Sequence, residues 1–136
     1  MLFRSERAVS LVLSVDCSGS MTQPILQAVA GELKAVAGQA ESVTIIVSDT
    51  RIHQVVENND VEAFLQHLRF RGGGGTDHRP VFDWLRERHR SPDLFVGLTD
   101  LCSRFPAKPP GFPVLWVVPE KHGSAPWGRT VVMNAT

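Results

Sequence analysis

Residues 8–15 form an almost unbroken apolar run that stops at Asp16, and residues 94–98 form a second that stops at Thr99-Asp100. Runs of this kind suit central strands of a parallel sheet, covered on both faces, better than half-exposed strands that alternate. Parallel strands need crossovers, and the chain between the runs supplies them. After Thr22, the residues Ile25, Leu26, Val29, Ala30, Leu33, Val36 and Ala37 recur at helical spacing, with Pro24 tolerable in the first turn and Gly38 near the stop. Residues 42–48 read as a second strand, and residues 51–57 alternate enough to be a short edge strand. The brief link Ser48-Asp49-Thr50 makes that pair an antiparallel hairpin.

Asn58-Asn59-Asp60 then caps a helix carrying Val61, Phe64, Leu65 and Leu68, and four glycines, 72–75, follow it. A third helix over 78–89 buries Val81, Phe82, Trp84 and Leu85 and begins just after Thr76-Asp77, with Pro80 early. The Pro-rich stretch 105–113 is a loop, 114–118 a further strand, and 130–133 a last edge strand or a docked arm. The expected fold is α/β: a doubly wound, mostly parallel sheet with an antiparallel edge strand and helices on both faces, with function at the strand C-termini. At 136 residues and 43% hydrophobic content, one domain spanning 1–136 can bury its core without staples.

Charge narrows the function. Fourteen basic residues balance fourteen acidic ones, so no net field draws in nucleic acid or an anionic membrane surface. No apolar stretch approaches the roughly 20 residues that span a bilayer, and the first residues lack the layout of a secretory signal. Cys17 and Cys102 are too few for a secreted disulfide framework, and the expectation is a cytoplasmic monomer with two buried thiols.

Asp16, Ser18 and Ser20 at alternate positions, a glycine-backed Thr76, and Asp100 at the end of a second buried strand make an all-oxygen set. Hard divalent ions select oxygen, and a shallow site of hydroxyls and carboxylates that leaves waters in place suits Mg²⁺, with Mn²⁺ nearly as good. Gly19 and the glycine run ending at Gly75 let the backbone turn sharply near an ion. Asp77 and His78 follow Thr76 and, with Gly19 and Gly75, are candidates for partner contact or for support of the ligands. An acid at a helix start is common for dipole reasons alone, and a solvated helix-start histidine is the plainer reading of His78.

Together, Asp16-Cys17-Ser18-Gly19-Ser20, the distant Thr76 and the strand-end Asp100 resemble the metal-ion-dependent adhesion site (MIDAS) of von Willebrand factor A domains. Arg79-Pro80, Leu98-Thr99-Asp100, Phe105-Pro106, Val114-Leu115-Trp116 and Pro126-Trp127-Gly128 extend the likeness. Over nearly the whole chain it is similar to the C-terminal A-like domains of a bacterial metallopeptidase-like family. The resemblance implies direct ligation by Ser18, Ser20 and Thr76, with Asp16 and Asp100 often acting through water. It also implies a protein partner whose carboxylate completes the ion, in assemblies that often include a MoxR-type AAA+ ATPase.

Other chemistries are less well supported. The glycine run lacks a following Gly-Lys-Ser/Thr, so it is a poor phosphate cradle, and no His-Glu-x-x-His occurs among the five histidines. Asp16 as a phosphoryl-accepting nucleophile with Mg²⁺ is the best enzymatic alternative, but Ser18 stands where such hydrolases usually keep a second acid. The non-metal alternative is a degenerate A-like domain in which Ser18 and Ser20 cap the first helix and Thr76 caps the third. Of the three tryptophans, Trp127 is the one expected to sit exposed at a contact surface.

Overall fold

In the computed structural model the described residues are 9–17, 24, 27–28, 31, 38–57, 63–64, 67 and 75–133. Strand β1 (Ser10–Asp16) is the axis of the sheet. Its register pairs it in parallel with β2 (Ser42–Ser48) on one side and with β4 (Leu94–Leu98) on the other. Beyond β2 lies β3 (Ile52–Glu57), antiparallel; beyond β4 lie β5 (Val114–Val118) and β6 (Arg129–Val132), both parallel, so the order is β3-β2-β1-β4-β5-β6. This is the expected doubly wound, mostly parallel sheet with an antiparallel edge.

Both faces are covered, as the unbroken apolar runs require. Leu11, Leu13, Val15, Val43, Ile45, Val96 and Leu98 form one core, against which Phe64 packs. The described residues between 24 and 39, together with Ala63 and Phe64, are helical. On the opposite face helix α1 (Arg79–Glu87) lays Val81, Phe82 and Leu85 on Val12, Ile46, Phe95, Trp116 and Val118. Burial of each large side chain contributes about 1.5–3 kcal/mol, so α1 is held chiefly by this stripe. The rest of the first two expected helices lies outside the described residues.

Three expectations change. Trp127 folds back rather than standing exposed. Its ring lies 5.3 Å from Phe82 and 5.9 Å from Trp116, and its indole N–H donates to the Pro106 carbonyl at 3.0 Å. The Trp116 N–H donates in turn to the Trp127 carbonyl at 3.0 Å, and Gly128 permits that approach with a φ of 89°. Cys102 is exposed rather than buried, while Cys17 is buried, and neither forms a disulfide. His78 is buried at 1% exposure rather than solvated, clasped between Phe105 and Trp116.

The direction of winding reverses between β1 and β4. From β1 the chain runs outward through β2 and β3, then returns to β4 on the other flank. Connections leaving β1 and β4 therefore diverge, opening a crevice at their C-terminal ends. Asp16 ends one strand and Thr99 follows the other.

Candidate functional site

At this crevice Asp16 is buried, with 1% exposure. A carboxylate so removed from water needs strong hydrogen bonds to offset desolvation. Thr76 donates its Oγ1 proton toward both carboxylate oxygens, each at 3.1 Å, and Thr99 Oγ1 donates to Oδ2 at 2.8 Å. Residues 60 and 83 positions away along the chain thus meet on one side chain.

Donation fixes polarity through the network. A hydroxyl has one proton, and that of Thr99 goes to Asp16, so its oxygen acts as acceptor for its other neighbours. The Leu101 N–H donates to it at 3.2 Å, and His78 Nε2 lies 3.3 Å away. His78 must then carry its proton on Nε2, leaving Nδ1 bare; Nδ1 is buried without a partner among the described residues. Burial pushes the His78 pKa down to about 4, against the opposing pull of the Asp16, Asp77 and Asp100 carboxylates. The ring is neutral at pH 7, as this tautomer requires.

Thr76 does not cap α1. The N-cap is His78, which makes no side-chain capping bond, and Pro80 occupies the first turn. The Thr76 hydroxyl is committed to Asp16 instead. Its main chain is anchored from the other side, where Thr76 O accepts from Arg104 N at 3.3 Å and Arg104 O accepts from His78 N at 2.9 Å.

Asp100 lies one residue beyond Thr99, half-buried. Its Oδ1 accepts from the Cys102 N–H at 2.9 Å, and its carbonyl accepts from Gly123 N at 2.7 Å. Between them Leu101 adopts a left-handed φ of 65°, unusual for a branched residue, while its side chain stays buried. The turn is thus held tightly at the crevice wall. Asp77 is turned toward Arg79, whose guanidinium bonds its carboxylate at 2.8 and 2.9 Å and holds it below the usual carboxylate range. Gly75 is exposed beside Thr50. Ser18, Gly19 and Ser20 lie outside the described residues.

The described donors around Asp16 are all oxygens, the chemistry a hard cation selects. A hydroxyl whose proton goes to a carboxylate presents only lone pairs elsewhere, which is the polarity cation binding needs; Thr76 has it. Ser48, the β2 register partner of Asp16, carries a fully buried hydroxyl without a partner among the described residues, a polar atom that ordered water or a hydrated ion would satisfy. On these grounds the residues present fit Mg²⁺.

Sequence reasoning missed Thr99 and misjudged His78. The signal for Thr99 was present, since a hydroxyl directly after a buried parallel strand must point into the switch-point crevice or the core. The burial of His78 depends on Phe105 and Trp116 arriving from distant segments, and nothing local announces it.

The family described as VWA-like domain (DUF2201) matches residues 11–134, a span that takes in all of the sheet but Ser10 and every segment of this site. No curated protein matches the chain.

Proposed function

The chain belongs to the VWA-like domain family, and from that premise we propose that it is a protein-interaction module whose partner binds through Mg²⁺ held at the end of β1. The supporting observation is the convergence of Thr76 and Thr99 on the buried Asp16 carboxylate at the sheet's switch point. Thr76, Ser18 and Ser20 would hold the ion directly, and Asp16 and Asp100 through water; Mn²⁺ would substitute. Bound there, the ion supplies an electrophilic position that a partner's Asp or Glu carboxylate completes.

The chain's own residues set that position up. Asp16 orients the Thr76 hydroxyl by accepting its proton. Thr99, itself fixed by Leu101 N–H and His78, keeps the carboxylate from rotating. Neutral hydroxyl ligands leave more of the cation's charge for an incoming anion than carboxylate ligands would. Family resemblance supports a partner in a larger assembly, with a MoxR-type AAA+ ATPase the first to test. Asp16 as a phosphoryl-accepting nucleophile is disfavoured, because both of its oxygens are engaged by threonine hydroxyls.

Calorimetric titration with Mg²⁺ or Mn²⁺ is the test. Saturable binding that Asp16→Ala abolishes is expected, and retention of an acidic partner by wild type but not by Thr76→Ala, lost on chelation. Absence of heat with either ion, with unchanged thermal stability, would overturn the metal-dependent reading. Turnover of a phosphomonoester that disappears in Asp16→Asn would replace it with the hydrolase.

A further inference from the structure

A second cluster of donors lies at the neighbouring corner of the sheet, with a different chemistry. Cys17 follows β1 directly, and its N–H extends the ladder to the Ser48 carbonyl at 2.9 Å. Asp49 follows β2 directly, and His53 is the second residue of β3. A register shift at Val47/Ser48 pairs Ser48 with Ile52 and brings the start of β3 back over the end of β2. As a result the Cys17 sulfur, an Asp49 carboxylate oxygen and a His53 ring nitrogen all lie within 4.8 Å of one another.

We propose that Cys17, Asp49 and His53 form a metal centre for a borderline-soft divalent cation such as Zn²⁺, separate from the oxygen site at Asp16. A sulfur, an imidazole nitrogen and a single carboxylate are the donors Zn²⁺ takes, whereas Mg²⁺ demands oxygen. Zn²⁺ ligands at about 2.0–2.3 Å in a tetrahedron stand roughly 3.3–3.8 Å apart. The pair His53 Nε2 and Asp49 Oδ1, now 2.7 Å apart, would open by under about 1 Å to reach that spacing, and the sulfur starts within 4.8 Å of both. Asp49 is preset for this, since its Oδ1 also accepts from the Arg51 N–H at 3.2 Å and its own N–H donates to the Arg51 carbonyl at 3.0 Å.

Burial is graded in the sense a site needs. Cys17 is 1% exposed, shielding the sulfur from oxidants, while the side chains of His53 and Asp49 are 13% and 22% exposed and leave an entry path. On binding, the Cys17 thiol releases its proton to solvent as the metal–sulfur bond forms. His53 binds through Nε2 in its Nδ1–H tautomer; the proton that Nε2 now shares with Asp49 passes through solvent to Nδ1, so the ring stays neutral. Three protein ligands leave a fourth position for water or for a donor from another molecule. Because the Asp49 carbonyl accepts from Asp77 N at 2.9 Å, this corner is tied to the Thr76 segment.

The test uses Co²⁺ as a coloured stand-in for Zn²⁺. One equivalent of Co²⁺ is expected to give a near-ultraviolet thiolate charge-transfer band and tetrahedral visible bands, both erased by one equivalent of Zn²⁺ and both surviving a large excess of Mg²⁺. Cys17→Ser should remove the charge-transfer band, and His53→Gln should weaken Zn²⁺ binding at least tenfold. His53 is partly exposed, so His53→Gln decides the matter should Cys17→Ser fail to fold by circular dichroism. No band in the wild type, Zn²⁺ affinity unchanged in His53→Gln, or displacement of Co²⁺ by Mg²⁺ would each overturn the proposal.

Discussion

Asp16 is stabilised as a buried charge by two threonines that do different jobs. Thr76 donates at 3.1 Å and reaches the carboxylate from a loop, while Thr99 donates at 2.8 Å from the end of a central strand. Replacing Thr99 by Val keeps the shape but strips Asp16 of a 2.8 Å bond and leaves His78 Nε2–H and Leu101 N–H without that acceptor. Denaturation in urea should show a loss of about 1–3 kcal/mol, with Thr99→Ser losing less. His78 adds a pH dependence. Its pKa in the fold is lowered to about 4 by burial from an ordinary value of 6.5, so between those pH values the unfolded chain binds a proton that the folded chain refuses. Stability is therefore complete above about pH 6.5 and declines as the pH falls toward 4, by on the order of 3 kcal/mol at about 1.4 kcal/mol per pKa unit. Subtracting the pH–stability curve of His78→Gln from that of the wild type isolates this component. A glutamine amide can still donate to Thr99 without titrating. Identical curves would mean that His78 is charged or solvated in the folded state.

At the scale of elements, β4 and β5 work as a pair. Gly97 stands opposite Trp116 in the parallel register, and a Cβ on Gly97 would overlap the six-membered ring of Trp116. That ring also contacts His78 at 5.1 Å and Phe105 at 5.4 Å. Gly97→Ala should cost about 1–3 kcal/mol through overpacking. It should also weaken divalent-ion binding, because the displaced strand end carries Thr99 and Asp100. Denaturation and calorimetry on the one variant check both, and a stability loss without any change in ion affinity would show that the strand end does not transmit the strain. The apolar runs made β2, β4 and β5 legible to the residue, since strands buried on both faces advertise themselves continuously. Asp16, Thr76 and Asp100 stood out for a related reason: Asp16 and Asp100 lie at the ends of buried strands, and Thr76 lies just before α1. Trp127 and His78 were misread because their environments are made by one another's neighbours, Phe82, Phe105 and Trp116, and sequence spacing carries no trace of such packing. Cys17, Asp49 and His53 escaped notice for a third reason, since a bulge in a hairpin brings them together.

For the whole molecule, the switch point between β1 and β4 gathers the candidate ligands from distant parts of the chain, so binding of the proposed ion would be linked to folding. Asp16, Thr76 and Thr99, with Asp100 next in the chain, come together only when β1, the segment before α1 and β4 are all in place. The unfolded chain can present them only as scattered, weak donors. An ion that binds the folded state alone stabilises it by RT ln(1 + [L]/Kd), about 2.7 kcal/mol at a hundredfold excess over Kd. The melting temperature should therefore rise with the logarithm of Mg²⁺ or Mn²⁺ concentration once Kd is passed, and the rise should vanish in Asp16→Ala. Raising ionic strength with a monovalent salt separates this from general screening, which would act on the exposed Arg86–Asp83 pair and on other surface charges alike. A melting temperature that climbs equally in Asp16→Ala would place the stabilising ion elsewhere. Zn²⁺ provides the complementary measurement, because its stabilisation should survive Asp16→Ala and disappear in His53→Gln. Two additive increments in the wild type would then report two centres at one end of one sheet.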